Sequence, residues 1–174
     1  MPLTSVADRL RESMWRSAND KRLKRLRRVV DAMPATPPAD LTALDMGSDT
    51  SLAGFLAAVG EAAGRELGLP PFPNQYQAAA ALLRGASIEL ATGEGKTLVG
   101  AMAAAGWALQ GRHVHVLTAN DYLAARDADW MGPLYRGFGL TCGAVQAGQD
   151  LPERQRAYAA DVTYSSVAEA GFDL

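Results

Sequence analysis

Residues 88–97 read Ile-Glu-Leu-Ala-Thr-Gly-Glu-Gly-Lys-Thr, and the order of these residue types decides the fold. A short apolar run suited to a strand meets two glycines, then a lysine and a threonine. From Leu98 the chain turns alanine-rich and helical. A phosphate-binding loop requires this succession of strand, glycine turn and helix. Gly93 and Gly95 permit backbone conformations and close approach that a Cβ would forbid. The loop N–H groups and the positive end of the following helix would then face the anion. Lys96 would reach the β/γ-phosphates, and the Thr97 hydroxyl would ligate Mg²⁺. Leu90 stands where the general G-x-x-x-x-G-K-[ST] pattern has its first glycine, so this is a variant loop. A plainer alternative is a strand–turn–helix corner with a surface lysine. The complete run in motif order weighs against it, and the stretch points to nucleotide binding.

Ahead of the loop, Leu3, Val6, Leu10 and Met14 recur at helical spacing. Residues 17–20 interrupt that pattern, with Asn19 and Asp20 as helix caps. Residues 21–33 predict a basic amphipathic helix with Leu23, Leu26, Val30 and Met33 on one side. Lys21, Arg22, Lys24, Arg25, Arg27 and Arg28 make the rest of its surface positive. Two readings stand for that surface: attraction to anionic headgroups or an acidic partner, and a solvated face on a packed helix. Pro34, Pro37, Pro38 and Gly47 mark a connector, with one short turn around residues 41–44. Residues 51–67 form a helix with Leu52, Phe55, Leu56, Val59 and Ala63 inward and Gly68 at its end. Pro70, Pro71 and Pro73 exclude regular structure until Asn74, after which residues 75–83 form a helix closed by Gly85.

Beyond the loop, residues 98–110 predict a helix of small apolar residues that packs close against a sheet. Residues 113–118 read as a buried strand, with His113 and His115 on one face and no third metal ligand in range. A long helix capped by Asn120 or Asp121 runs through Trp130 and Leu134 to the glycines at 137 and 139. Residues 140–145 are a strand, 152–160 a short charged helix and 162–165 a further strand. With residues 88–90 this makes four strands. The alternation gives an α/β protein: a parallel sheet with flanking helices, preceded by N-terminal helices. The expected division is a basic helical arm over 1–33, a connector and helix over 34–74, and a nucleotide-binding domain from 75 to 174.

The chain has 174 residues, 48% of them hydrophobic, enough for a real core. Its single cysteine, Cys142, excludes an internal disulfide and reads as a buried, inert thiol. No apolar stretch reaches the ~18 residues of a membrane span, and the N-terminus lacks the apolar core of a signal peptide. A cytoplasmic location is expected. Residues 1–30 hold nine Lys/Arg against three Asp/Glu, and the rest of the chain holds eight against sixteen. A basic arm on an acidic body is not the profile of a protein that grips nucleic acid across its main face.

Three stretches together carry a family resemblance. They are Thr92-Gly-Glu-Gly-Lys-Thr97, Thr118-Ala-Asn-Asp-Tyr-Leu-Ala-Ala-Arg-Asp127, and Asp161-Val-Thr-Tyr with Glu169-Ala-Gly-Phe-Asp173. The last two are expected at the carboxyl ends of successive strands, where α/β sheets place their working loops. The T-G-x-G-K-T loop is similar to that of helicase-like motors. The set resembles the SecA family of preprotein translocase motors, whose patterns are T-G-E-G-K-T, V-N-D-Y-L-A-x-R-D, D-[IV]-T-Y and N-E-x-G-F-D-Y-L. Phe72 and Gln75 match the outer residues of the family's F-D-V-Q segment, with Pro73-Asn74 between them in place of Asp-Val. Ala168 stands where an asparagine is usual. The loop and Trp130-Met-Gly-Pro-Leu134 look closest to the accessory SecA of actinobacteria.

The resemblance implies a partial P-loop (RecA/helicase-like) domain. It assigns Gln75 to the adenine edge, Gly93, Glu94, Gly95, Lys96 and Thr97 to the phosphates of ATP, and Thr97 to Mg²⁺, with Lys96 and Thr97 as the catalytic pair. An amide suits adenine because it offers both a donor and an acceptor. The implied partners are a SecY-type Sec channel, preproteins and anionic lipids met by the basic helix, with an oligomer conceivable in the whole protein. The implied location is cytoplasmic, peripheral to the membrane. The family continues into an acidic D-E-A-D strand whose carboxylates hold Mg²⁺, so residues 1–174 are expected to be the N-terminal part of a motor and inactive alone. The alternatives are a nucleic-acid helicase with the same loop, and a non-catalytic module that docks lipid or a partner.

Overall fold

The computed structural model describes residues 6–41 and 43–173, and of residues 6–18 the backbone alone. Leu3 and the side chains of Val6, Leu10 and Met14 therefore lie outside the described residues, as does Thr42 of the expected short turn. Helix α1 runs unbroken over Val6–Asp31, so residues 17–20 do not interrupt it. Ser, Asn and Asp cost a helix interior only tenths of a kcal/mol each, up to about 0.7. Elongation from good formers on both sides outweighs that. The packed side of α1 also differs from the expected one. Leu26 and Val29 are buried, whereas Leu23 is half exposed.

After the connector, Ser48 caps helix α2, Asp49–Leu67, by accepting from the Ser51 N–H. Gly68, at φ 68°, ends it, and the Leu69 N–H returns to the Ala63 carbonyl. The expected stripe of Leu52, Phe55, Leu56, Val59 and Ala63 is fully buried. Helix α3 spans Pro73–Leu83 and starts earlier than expected, because proline at the first helical position needs no N–H partner. Helix α4, Lys96–Ala108, follows the glycine loop. Its alanines bury against α3 and α2 as well as the sheet. A Cβ on Gly106 would lie 2.7 Å from Leu83 Cδ2 and 3.0 Å from Phe55 Cζ. Only a helix without bulk could fit there.

The sheet has three parallel strands, β1 (Val114–Thr118), β2 (Cys142–Ala144) and β3 (Val162–Ser166), in the order β1-β3-β2. Helix α5, Asp121–Arg136, links β1 to β2 and packs on the face that carries Val114, Val162 and Tyr164. Helix α6, Leu151–Tyr158, links β2 to β3 and lies on the opposite face. There the Thr163 hydroxyl donates to the Ala157 carbonyl at 2.8 Å. A short helix α7, Val167–Phe172, follows β3 directly and was not foreseen. The central strand β3 is buried throughout, while β1 alternates and leaves His115 and Leu117 exposed.

The expected strand over residues 88–90 is absent from the sheet. A strand exists through its ladder, and this segment lies beside α1 and α3 rather than along an edge of β1 or β2. Its carbonyls at Leu90 and Ala91 accept from the Lys96 ammonium instead. Between sheet and α5, the Tyr135 and Tyr164 hydroxyls meet at 2.7 Å, fully buried. Burial, and then the neighbouring phenol, push the Tyr135 pKa well above its usual value. Pairing matters there, since an unmet buried hydroxyl costs about 1–3 kcal/mol.

Gly143 of β2 touches α6 so closely that a Cβ would lie 2.7 Å from the Ala157 carbonyl oxygen and 2.9 Å from its Cα. Gly143→Ala should therefore destabilise the protein by roughly 1–3 kcal/mol. Gly171→Ala, with nothing within 4 Å of the new Cβ, should not. Denaturant unfolding of both variants checks the difference, and equal midpoints would contradict the close α6–β2 contact.

Candidate nucleotide-binding site

The loop before α4 has the backbone that its glycines allow. Gly93 sits at φ 88° and Gly95 at φ 79°, both in the left-handed region. Gly95 is also the N-cap of α4, so the first N–H groups of a thirteen-residue helix open toward the loop. Gly93, Glu94 and Lys96 are exposed and Thr97 is half-buried. The Lys96 ammonium reaches back to the Leu90 and Ala91 carbonyls, both at 2.9 Å. It has three N–H donors, so one remains for an incoming acceptor. The Thr97 hydroxyl lies in the first turn of α4, one residue beyond. Five of the six expected residues thus share one loop and one helix start.

The sixth, Gln75, reaches the same place from α3. It is 7% exposed. Its Oε1 accepts from the Phe72 N–H at 2.9 Å, and its Nε2 donates to the Glu94 carbonyl at 3.0 Å. The amide therefore holds the start of α3 and ties the loop to it. Each amide atom keeps one further hydrogen-bonding position, which is what an adenine edge would need. A Cβ on Gly95, besides being strained at that φ, would run into the Gln75 amide nitrogen and push it off the Glu94 carbonyl. Phe72, Pro73, Asn74, Gln75, Thr92, Gly93 and Glu94 line a cleft of about 690 Å³ beside the loop. A larger cleft of about 840 Å³, between α1, the connector and α2, is remote from this chemistry. The smaller one holds the motif residues.

The other motif stretches mostly build the sheet's carboxyl end. Asn120 caps α5 by accepting from the Leu123 N–H at 2.9 Å. The Asp121 carboxylate accepts from the Ala147 N–H at 2.7 Å. The Ser166 hydroxyl, then that N–H, hold its pKa below the usual carboxylate range. Asp161 does not stand at the carboxyl end of its strand, as the motif order suggested. It precedes β3 and accepts from the Thr141 N–H at 2.7 Å and hydroxyl at 2.6 Å, joining β2 to β3 at their amino ends. Glu169 and Asp173 both bind Arg154 of α6, at 2.7 and 2.6 Å, and Tyr158 donates to Asp173. Arg154 was missed in the sequence, where it is one charge in a charged helix. Its partners, Glu169 in α7 and Asp173 just past the end of that helix, only become visible in space.

Cys142 is partly buried against α5, and burial pushes its thiol up to about 11, so it is not a ready nucleophile. His113 and His115 do not share a ligand set. His113 Nδ1 meets the Ala160 carbonyl and His115 packs near the Tyr158 ring. Among the described residues no group of three or more His, Cys, Asp and Glu could hold a metal. No helix of the described residues is long and apolar enough to cross a membrane.

Gln75→Ala removes both ends of the bridge between α3 and the loop. It should cost about 1–3 kcal/mol of stability, because Phe72 N–H and the Glu94 carbonyl lose their partner together. Gln75→Glu keeps the acceptor for Phe72 and loses the donor to Glu94, so it should still destabilise. Unfolding midpoints unchanged by either substitution would contradict the bridge.

A family model described as the SecA DEAD-like domain matches residues 13–174. Protein translocase subunit SecA 3 of Mycolicibacterium vanbaalenii is 55% identical over 130 residues, which is 75% of this chain and 17% of that protein. Protein translocase subunit SecA of Mycobacterium avium is 56% identical over 130 residues, again 75% of this chain and 17% of its own length. Protein translocase subunit SecA 2 of Mycobacterium tuberculosis is 56% identical over 130 residues, 75% of this chain and 16% of that protein. The chain thus spans less than a fifth of the length of these curated relatives. With its parallel α/β sheet and glycine loop, this chain belongs to the SecA DEAD-like domain family, a RecA/helicase-like fold.

Proposed function

We propose that this chain forms the first part of an ATP-driven motor that exports preproteins through a SecY-type Sec channel. The observation that carries the reading is the loop of residues 92–97. It has left-handed glycines at 93 and 95, an open helix start and a lysine with a spare donor. The names of its relatives, protein translocase subunits SecA, support the same reading.

The residues present fit a nucleotide with its metal. At Gly95 a side chain would collide with Gln75, so the cradle exists only because the residue is glycine. Gly93, Glu94 and Gly95 would present N–H groups to phosphate oxygens, reinforced by the positive end of α4. Lys96 would leave the Leu90 and Ala91 carbonyls, or share itself between them and the β/γ-phosphates. Thr97 would offer its hydroxyl oxygen to Mg²⁺, and Gln75 its remaining donor and acceptor to the base. When bound, Mg²⁺ would offset phosphate charge during phosphoryl transfer. Gly93 to Thr97 bind and orient; Lys96 and Thr97 form the catalytic pair. Acidic metal ligands beyond these residues are part of the reading, so residues 1–174 by themselves are proposed to be inactive.

The exposed cations of α1 support a second contact of the same motor, with anionic lipid on the cytoplasmic side of the membrane. Lys21, Arg22, Lys24, Arg27 and Arg28 are solvent-facing. Arg25 differs, since it binds the Asp49 carboxylate of α2 together with Arg84. Arg25 first, then Arg84, holds the Asp49 pKa below the usual range. Each solvent-facing cation near an anionic surface is worth about 1 kcal/mol at low salt, so vesicle binding that survives at high salt would contradict this contact.

Lys96→Ala in the full-length protein should abolish ATP turnover, because it removes the contact to the β/γ-phosphates. Steady-state phosphate release checks this. Hydrolysis near the unaltered rate would overturn the phosphate-loop reading.

A further inference from the structure

The cleft beside the loop contains one contact that the phosphate-loop reading does not use. Asn74 Nδ2 lies 3.1 Å from Glu94 Oε2. An ionised carboxylate only accepts, so the amide nitrogen must be the donor, and the orientation of the Asn74 side chain follows. Glu94 is thus held twice from α3. Its carbonyl takes the Gln75 amide and its carboxylate takes the Asn74 amide. Lys96 meanwhile binds the Leu90 and Ala91 carbonyls, and no ion pair joins it to Glu94 among the described residues. The loop therefore carries an acidic side chain that its own lysine does not neutralise. In a loop that faces phosphates, such a charge opposes the ligand unless something holds it aside.

We propose that Asn74 is a positioning residue for the nucleotide. It parks the Glu94 carboxylate on the base side of the cleft and so keeps negative charge out of the phosphate cradle. The proposal rests on the phosphate-loop reading of residues 92–97. It also gives a physical role to a position where this chain departs from the F-D-V-Q pattern. A valine there could pack but could not donate, so the control of Glu94 is a property of Asn74 itself. Because the contact is exposed and between short side chains, its loss need not disturb the fold. Repulsion from a released carboxylate grows with phosphate charge, so ATP is affected more than ADP. A purely structural role would weaken both alike.

The test is equilibrium binding of fluorescent methylanthraniloyl-ATP and methylanthraniloyl-ADP, each with Mg²⁺, to the full-length protein. Asn74→Val should weaken ATP binding by about fivefold, the size of one exposed charge-assisted contact, and ADP binding by less. Adding Glu94→Gln to that variant should restore both affinities, since a neutral amide no longer opposes the phosphates. Unchanged ATP affinity in Asn74→Val, equal losses for ATP and ADP, or no rescue by Glu94→Gln would each overturn the proposal. Lys96→Ala separates the two readings. If it abolishes binding while Asn74→Val does nothing, the loop stands and the role of Asn74 falls. If it binds normally, the loop assignment itself falls.

Discussion

The close approach of α4 to its neighbours is the constraint on which the rest of the structure depends. Ala101, Ala103, Ala104 and Ala105 are at most 2% exposed, and Gly106 leaves no room for a methyl beside Leu83 and Phe55. A helix of larger residues would stand off from α3, and the start of α3 would leave the glycine loop. Gln75 could then no longer reach the Glu94 carbonyl. Small residues bury little area each, so the stabilisation comes from the large side chains around them. Phe55, Leu52, Leu56 and Val59 of α2 are fully buried, at about 1.5–3 kcal/mol each. Alanine in α4 sets distance; the leucines and phenylalanine of α2 supply energy.

Much of this was legible in the residue pattern. The α2 stripe, the Asn120 cap, the glycine loop and the parallel alternation of strands and helices all stand as read. These features are local, or repeat with a fixed period, so a sequence displays them directly. What was not legible depended on partners distant in the chain. Residues 88–90 have strand-like composition, yet composition cannot say whether a ladder partner is adjacent. Leu23 was placed on the packed side, and Val29 was left out of it, because the two lie at opposite borders of a helical stripe, and only the position of α2 and α3 decides which border is covered. Arg154 looked like surface charge until α7 brought Glu169 and Asp173 to it. Asp161 looked like a working residue, and its bonds to Thr141 make it a strand clasp.

The candidate site divides in the same way. Its proposed phosphate side is written in one contiguous motif: Gly93, Gly95, Lys96 and Thr97 could be named from the motif itself, whereas Glu94 came only with the family resemblance. The side proposed for the base comes from α3, nineteen or twenty residues earlier, through Gln75 and Asn74. A family pattern drew attention to Gln75. For Asn74 only the distance to Glu94 reveals a contact. The two halves are coupled physically, because the same residue, Glu94, is gripped through its backbone by one and through its carboxylate by the other.

The most direct measurement of the central account is hydrogen–deuterium exchange of the full-length protein, with and without saturating Mg²⁺-ATP. If residues 92–97 receive the phosphates, their amides lose access to water when the nucleotide binds. Peptides covering residues 90–98 should then slow strongly, with a smaller effect at residues 72–76. Bound ATP that leaves exchange over 90–98 unchanged, while protecting another part of the protein, would contradict the account.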